Sequence, residues 1–187
     1  MGVLIAFIPF IVFSLLAGVS MSLSLWAALA AAFVVGIRDF LHSKSLRVLD
    51  AGGMALFFVM ALFVGFVEPT LKDSTTRLVI DLGFLLMSAV SLVRKSPASL
   101  GYAREFVPPE IWNRPDFLRA NYVVTGVWTA AFATATAFDG IANFDHDFSA
   151  TIEIAGALTA LVVAIAFTAR YRPLAPMPVR RPAALRW

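Results

Sequence analysis

From Met1 to Ile37 the chain carries no charged side chain, far more than the ~20 apolar residues one helix needs to cross a hydrocarbon layer. A soluble domain disperses charge over roughly a quarter of its positions. Here only 14% of 187 residues are charged and 60% are hydrophobic. The charges are bunched, and the mean hydropathy is +0.83. A water-soluble enzyme built around one buried core therefore fits poorly. In lipid the backbone must satisfy its own polar groups, which leaves helices or closed barrels. Barrel strands alternate apolar and polar residues over about ten positions, whereas these runs are continuously apolar. The fold class is all-α, a polytopic membrane helical bundle.

Six spans follow from the pattern. No Lys or Arg precedes Arg38, so the opening lacks the basic n-region of a secretory signal and reads as a retained first span. Ala6 stands where N-myristoylation wants Ser or Thr. Ser20, Ser22 and Ser24 break the run into a hairpin, residues 3–18 and 23–37, with Pro9 expected to kink the first rod. Span 3 covers 49–67, with Asp50 as its expected N-cap. Span 4 covers 78–93, span 5 covers 117–138 and span 6 covers 150–169, with a polar segment at 94–116. Residues 1–169 then form one transmembrane domain. Residues 170–187, rich in Arg and Pro, form a basic tail that is extended or disordered. Spans 1–3 and 4–6 share no residue pattern, so no inverted repeat is read.

Lys and Arg set the orientation. With the N-terminus inside, the cytoplasmic segments hold Arg38, Lys44 and Arg47, then Arg94, Lys95, Arg104, Arg114 and Arg119, then Arg170, Arg172, Arg180, Arg181 and Arg186. The opposite side holds only Lys72 and Arg77. Thirteen against two is a strong positive-inside signal and favours an even number of crossings with both termini inside. A five-span alternative merges the first hairpin into one helix. The basic pI of about 9.7 is what such loops produce, so no nucleic-acid partner is expected.

Span 5 has the clearest internal design. On a helical projection Asn121, Thr125, Trp128, Thr129, Phe132, Thr136 and Asp139 share one arc. Gly126, Ala130, Ala133 and Ala137 form a small-residue sector of the kind that lets helices approach. The arc is either a packing face between neighbouring helices or a polar strip lining a substrate path. Gly156, Ala160 and Ala164 repeat the small-residue device in span 6. Two carboxylates fall inside the spans. Glu153, one turn from the outer end of span 6, is expected to reach headgroup water, and Asp81 is expected to pair with Arg77 one turn earlier on the same helix. Both lie on the same membrane side, where a shared proton or cation site is the alternative. The loop 139–147, with Asp139, Asn143, Asp145, His146 and Asp147, is a solvated acidic loop or a divalent-cation site without EF-hand spacing.

Enzymatic readings are weak. The only histidines, His42 and His146, fall on opposite sides of the membrane in this topology, and there is no Cys. Neither a His pair for a metal nor a Gly-rich phosphate loop exists, so no catalytic residue, cofactor or metal is expected.

The segment after span 4 reads SLGYAREFVPPEIWNRPDFLRAN from Ser99 to Asn121. Leu100, Ala103, Phe106 and Val107 share a face, Pro108-Pro109 starts a second turn, and Tyr102 and Trp112 suit the headgroup belt. With Arg104, Lys95, Arg114 and Arg119 beside it, it reads as an interfacial segment meeting anionic headgroups. It serves either as an elbow orienting span 5 or as a docking surface for another membrane protein.

These residues carry a family resemblance. Phe7-Ile-Pro-Phe-Ile-Val-Phe13, Ser91-Leu-Val-Arg-Lys95, Tyr102-Ala-Arg-Glu-Phe-Val-Pro-Pro-Glu-Ile-Trp112 and Phe117-Leu-Arg-Ala-Asn121 followed by Trp128 resemble the intracellular septation protein A family and related bacterial inner-membrane proteins. A Trp-Lys-Pro-Thr type segment typical before span 4 is replaced by Lys72-Asp-Ser-Thr-Thr-Arg77. The resemblance implies a multi-pass inner-membrane protein associated with septation or envelope synthesis, and it implies no catalytic residues. The alternatives are a small proton- or cation-coupled transporter or channel using the span 5 strip with Asp81 or Glu153, and an accessory subunit of a larger complex. A homo-oligomer is compatible with each.

Overall fold

A computed structural model describes residues 5, 7–43, 47–145 and 147–171. Every regular element among them is helical. The helices are α1 (Ile8–Leu16), α2 (Met21–Ser43), α3 (Val48–Leu62), α4 (Asp73–Val93), α5 (Ala98–Ala103), α6 (Pro115–Phe144) and α7 (Ala150–Arg170). Four stretches are long and apolar enough to cross a membrane: Met21–Arg38, Leu49–Val67, Asp73–Val93 and Ala150–Arg170. The described part of α1 has nine residues, a rod of only about 14 Å. The 30-residue α6 has length in excess, but the polar arc dilutes its apolarity.

The helix boundaries have local causes. The serine break falls where the sequence places it, since α1 stops at Leu16 and the Leu23 N–H donates to Ser20 Oγ as α2 begins. Pro9 lies in the first turn of α1, where a missing N–H costs nothing, and most of the preceding residues on which the expected kink turns lie outside the described ones. Asp50 is not the cap of α3. That position belongs to Arg47, and the Asp50 carboxylate, three residues further on, accepts from the Tyr102 hydroxyl. At its far end α3 loosens into a π-helical turn, Phe63–Val67, closed by the Glu68 N–H on Phe63 O at 2.8 Å. α4 ends in a Schellman cap, with the N–H groups of Lys95 and Ser96 reaching Leu92 O and Ser91 O. Lys95, at φ 54°, takes the left-handed position that usually falls to Gly.

The helices close a ring. α1 packs on α2, α2 on α3, α3 on α4, α4 on α6 and α6 on α7, while α7 returns to α1. Rings fill the centre. Phe7 stacks on Trp128 at 3.6 Å between centroids, and Phe10 meets Phe84 at 5.1 Å and Phe132 at 5.0 Å. Phe13 and Phe57 extend the cluster to α3. Offset and edge-on aromatic pairs add about 0.5–1.5 kcal/mol each beyond their buried area. Since lipid tails are as apolar as Leu, such close contact is what holds helices together in a membrane.

The seam of α6 is Asn121, Thr125, Trp128, Phe132, Ala135 and Asp139, all buried. The small-residue sector behaves differently from its expectation. Ala130, Ala133 and Ala137 are exposed, and a methyl group added at Gly126 would meet nothing within 4 Å. The polar arc, by contrast, faces the protein, with Asn121, Thr125, Trp128, Phe132 and Asp139 buried. In α7 the device does close a contact: Ala164 is buried, and Gly156 lies beneath the Phe138 ring of α6.

Candidate functional site

Three helices bring four charged side chains together at one end of the bundle. α4 contributes Arg77 and Asp81, α6 contributes Asp139 and α7 contributes Glu153. Asp139 is 0% exposed, Glu153 2% and Asp81 4%, so three carboxyl groups are withdrawn from solvent with one guanidinium among them. The Arg77 Nε–H donates to Glu153 Oε1 at 2.8 Å. Asp139 lies within hydrogen-bonding reach of both Asp81 and Glu153. Yet Asp81 Oδ1 and both Asp139 oxygens meet no donor, and the buried Thr136 Oγ1, one turn before Asp139, has no partner either. Two facing carboxyl groups without a donor are satisfied by a shared proton or by a cation between them.

Helical geometry explains the assembly. Arg77 and Asp81 are one turn apart on α4 but form no ion pair, because the guanidinium turns to Glu153 of α7. This corrects the expected Arg77–Asp81 pair. It also corrects Glu153, which turns inward to Arg77 instead of reaching headgroup water. The sequence places Asp139 both on the span 5 arc and in the loop that follows. Since α6 continues to Phe144, it sits on the helix and completes the cluster. Asn143 is on α6 as well and accepts from Thr75 Oγ1, while Asp145 Oδ1 accepts from the Asp147 N–H at 3.0 Å. Among the described residues no three acidic or His side chains converge closely enough to hold a metal ion. The side chain of His42, and all of Lys44, His146 and 172–187, lie outside the described residues.

The polar arc of α6 leads away from this cluster. Thr129 Oγ1 donates to Thr125 O on its own helix. Trp128 Nε1 donates to Thr168 Oγ1 of α7 at 3.0 Å. Further along, Thr125 Oγ1 donates to Ser99 Oγ at 3.0 Å and accepts from the Ser99 N–H, while Ser99 Oγ donates to Asn121 Oδ1 at 2.9 Å. Asn121 Nδ2 in turn donates to Phe117 O. Asn121 and Thr125 thus anchor the start of α5, a role hidden in the sequence because Ser99 was read only as the edge of a loop.

The segment between α4 and α6 forms its own small core. α5 and two 3-10 turns, Arg104–Phe106 and Pro109–Ile111, pack Leu100 and Ile111 on Phe117. Trp112 is half-buried, gives Nε1–H to Val107 O at 3.2 Å and carries the Arg104 guanidinium over its ring at 5.3 Å. Phe106 is exposed. Tyr102 departs from its expected place in the headgroup belt. It is fully buried, its hydroxyl on Asp50 and its ring 4.1 Å from the Arg47 guanidinium, which also pairs with Glu105. Arg114 and Asp116 form an exposed pair in which the guanidinium holds the Asp116 carboxyl below the usual carboxylate range.

These features define an all-helical protein whose long apolar helices are of the membrane-crossing kind and whose polar groups are gathered into buried clusters. Comparisons with family models, curated proteins and solved structures return no match. What is read of its role therefore rests on its own residues.

Proposed function

We propose that this chain is a non-enzymatic protein of a bacterial inner membrane that crosses six times with both termini in the cytoplasm. In this reading it acts through contacts with other membrane proteins, in septation or envelope maintenance, as its motif resemblance implies. The supporting observation is how the span 5 arc is used. Asn121, Thr125 and Trp128 are buried and bonded to α5 and α7, so the polar residues that would line a carrier's path hold the segment between α4 and α6 in place. That segment then presents exposed Phe106 beside the Arg104–Trp112 pair. Trp112→Ala and Asn121→Ala are expected to strip co-purified membrane proteins from the chain and to alter cell morphology. Unchanged recovery and morphology in both variants would remove the reading. A reporter fused after Trp187 is expected to report from the cytoplasm and one at Lys72 from outside.

The carboxyl cluster favours a second reading, a small proton- or cation-coupled transporter. Its support is that Asp81 and Asp139 are neighbouring buried carboxyl groups with donor-free oxygens at one end of the bundle, since ionisable groups within membrane spans mark ion and proton routes. In proteoliposomes, pH-dependent solute flux by the wild type is expected to disappear in Asp81→Asn. Equal flux in the two proteins would sink this alternative.

A further inference from the structure

At the end of the bundle opposite the carboxyl cluster, a cleft of about 780 Å³ opens between the start of α3, the last turns of α4 and the start of α5. Leu86, Val90 and Ala98 form apolar walls, Ser91 lies among them, and Arg47 and Arg94 stand at its polar end. The two cations are not equivalent. Arg47 is held in place by Glu105 and by the Tyr102 ring, with Asp50 Oδ2 at 3.9 Å, so its charge is offset by carboxylates. Gly101 keeps that wall close, since a Cβ there would stand 3.2 Å from Arg47 Cδ. Arg94 is exposed and has no carboxylate within ion-pair distance among the described residues. The cleft therefore has one uncompensated guanidinium.

Away from Arg94 the cleft runs onto an exposed apolar stripe of α4. Val79, Leu82, Leu86, Val90 and Val93 follow one another at three- and four-residue steps, each exposed. Steps of that size keep to a single side of a helix, so the stripe leads from the charged end along the rod. A free phosphate would meet Arg94 and leave these walls uncovered. A ligand with an anionic head and hydrocarbon chains matches both halves.

We propose that the cleft binds one anionic phospholipid, with its phosphate on Arg94 and its acyl chains laid along Leu82, Leu86 and Val90. The inference rests on the membrane-embedded reading of the chain and adds a defined lipid partner to it. Arg47, fixed by its own pairs, shapes the polar wall, and Arg94 supplies the attraction that distinguishes an anionic head from a zwitterionic one.

The test is native mass spectrometry of the full chain in detergent, titrated separately with phosphatidylglycerol, phosphatidylcholine and glycerol phosphate. The wild type is expected to retain phosphatidylglycerol about five-fold more tightly than phosphatidylcholine, as one guanidinium near the phosphate implies. Arg94→Ala is expected to erase that preference. Arg114→Ala, whose guanidinium is exposed and already paired with Asp116, is expected to keep it. Val90→Glu, which puts a carboxylate on the chain track, is expected to weaken both lipids. Because Arg94 is exposed, an unchanged thermal transition in Arg94→Ala separates lost binding from lost folding. Wild-type retention of phosphatidylglycerol by Arg94→Ala would overturn the proposal, as would glycerol phosphate binding as tightly as the lipid. A chain that needs detergent but shows no headgroup preference would end the proposal and leave the membrane reading standing. A chain soluble without detergent would end both.

Discussion

Arg77→Leu is expected to destabilise the protein by about 3–5 kcal/mol, the usual cost of removing one partner from a buried ion pair. Glu153 is 2% exposed and, among the described residues, has Arg77 as its charged donor, with Asp139 and Asp81 nearby. Without the guanidinium, three buried carboxyl groups face one another with no cation. Thermal unfolding in detergent reads the loss. Adding Glu153→Gln to Arg77→Leu is expected to recover a large part of it, because the uncompensated charge disappears while the shape is kept. A double variant as unstable as Arg77→Leu alone would show that Arg77 acts by packing its stem and not through its charge.

Phe132→Ala is expected to cost a similar amount, about 3–5 kcal/mol, for a different reason. Its ring lies between 5.0 and 5.9 Å from those of Phe7, Phe10, Phe84 and Trp128. Truncation leaves a void that touches three helices at once, and the stiff neighbouring rings cannot collapse into it. Phe33→Ala, on an exposed face of α2, is expected to change unfolding little. Equal effects of the two substitutions would mean that the aromatic cluster does not hold the ring of helices together.

The sequence made some of this legible and hid the rest for physical reasons. Hydropathy and serine breaks place the helices, with described ends that differ by up to six residues, because burial in lipid demands continuous apolar runs. The polar arc of α6 was visible from its spacing, since Asn121, Thr125, Trp128 and Asp139 recur with the period of one helix face. Its partners were not, because Ser99 and Thr168 belong to other elements and pairing between helices leaves no local signature. Arg77 and Asp81 illustrate the limit most clearly. A one-turn spacing permits a pair, but Glu153 of α7 takes the Arg77 guanidinium and leaves Asp81 beside Asp139. Phe7, Phe10 and Phe13 carried a signal that went unread: three rings at three-residue steps are an aromatic edge aimed at the bundle centre.

That aromatic edge also dictates an order of assembly. α1 is made before its partners: the rings it packs on, Phe84, Trp128 and Phe132, belong to α4 and α6 and are translated later. Until then the aromatic edge of α1 is covered only in part, by Phe57 of α3 and by α2, to which a short turn joins it. The aromatic contacts of α1 thus close only once Trp128 and Phe132 exist, and a ribosome halted before Trp128 would release a chain in which α1 lacks its aromatic partners on α6.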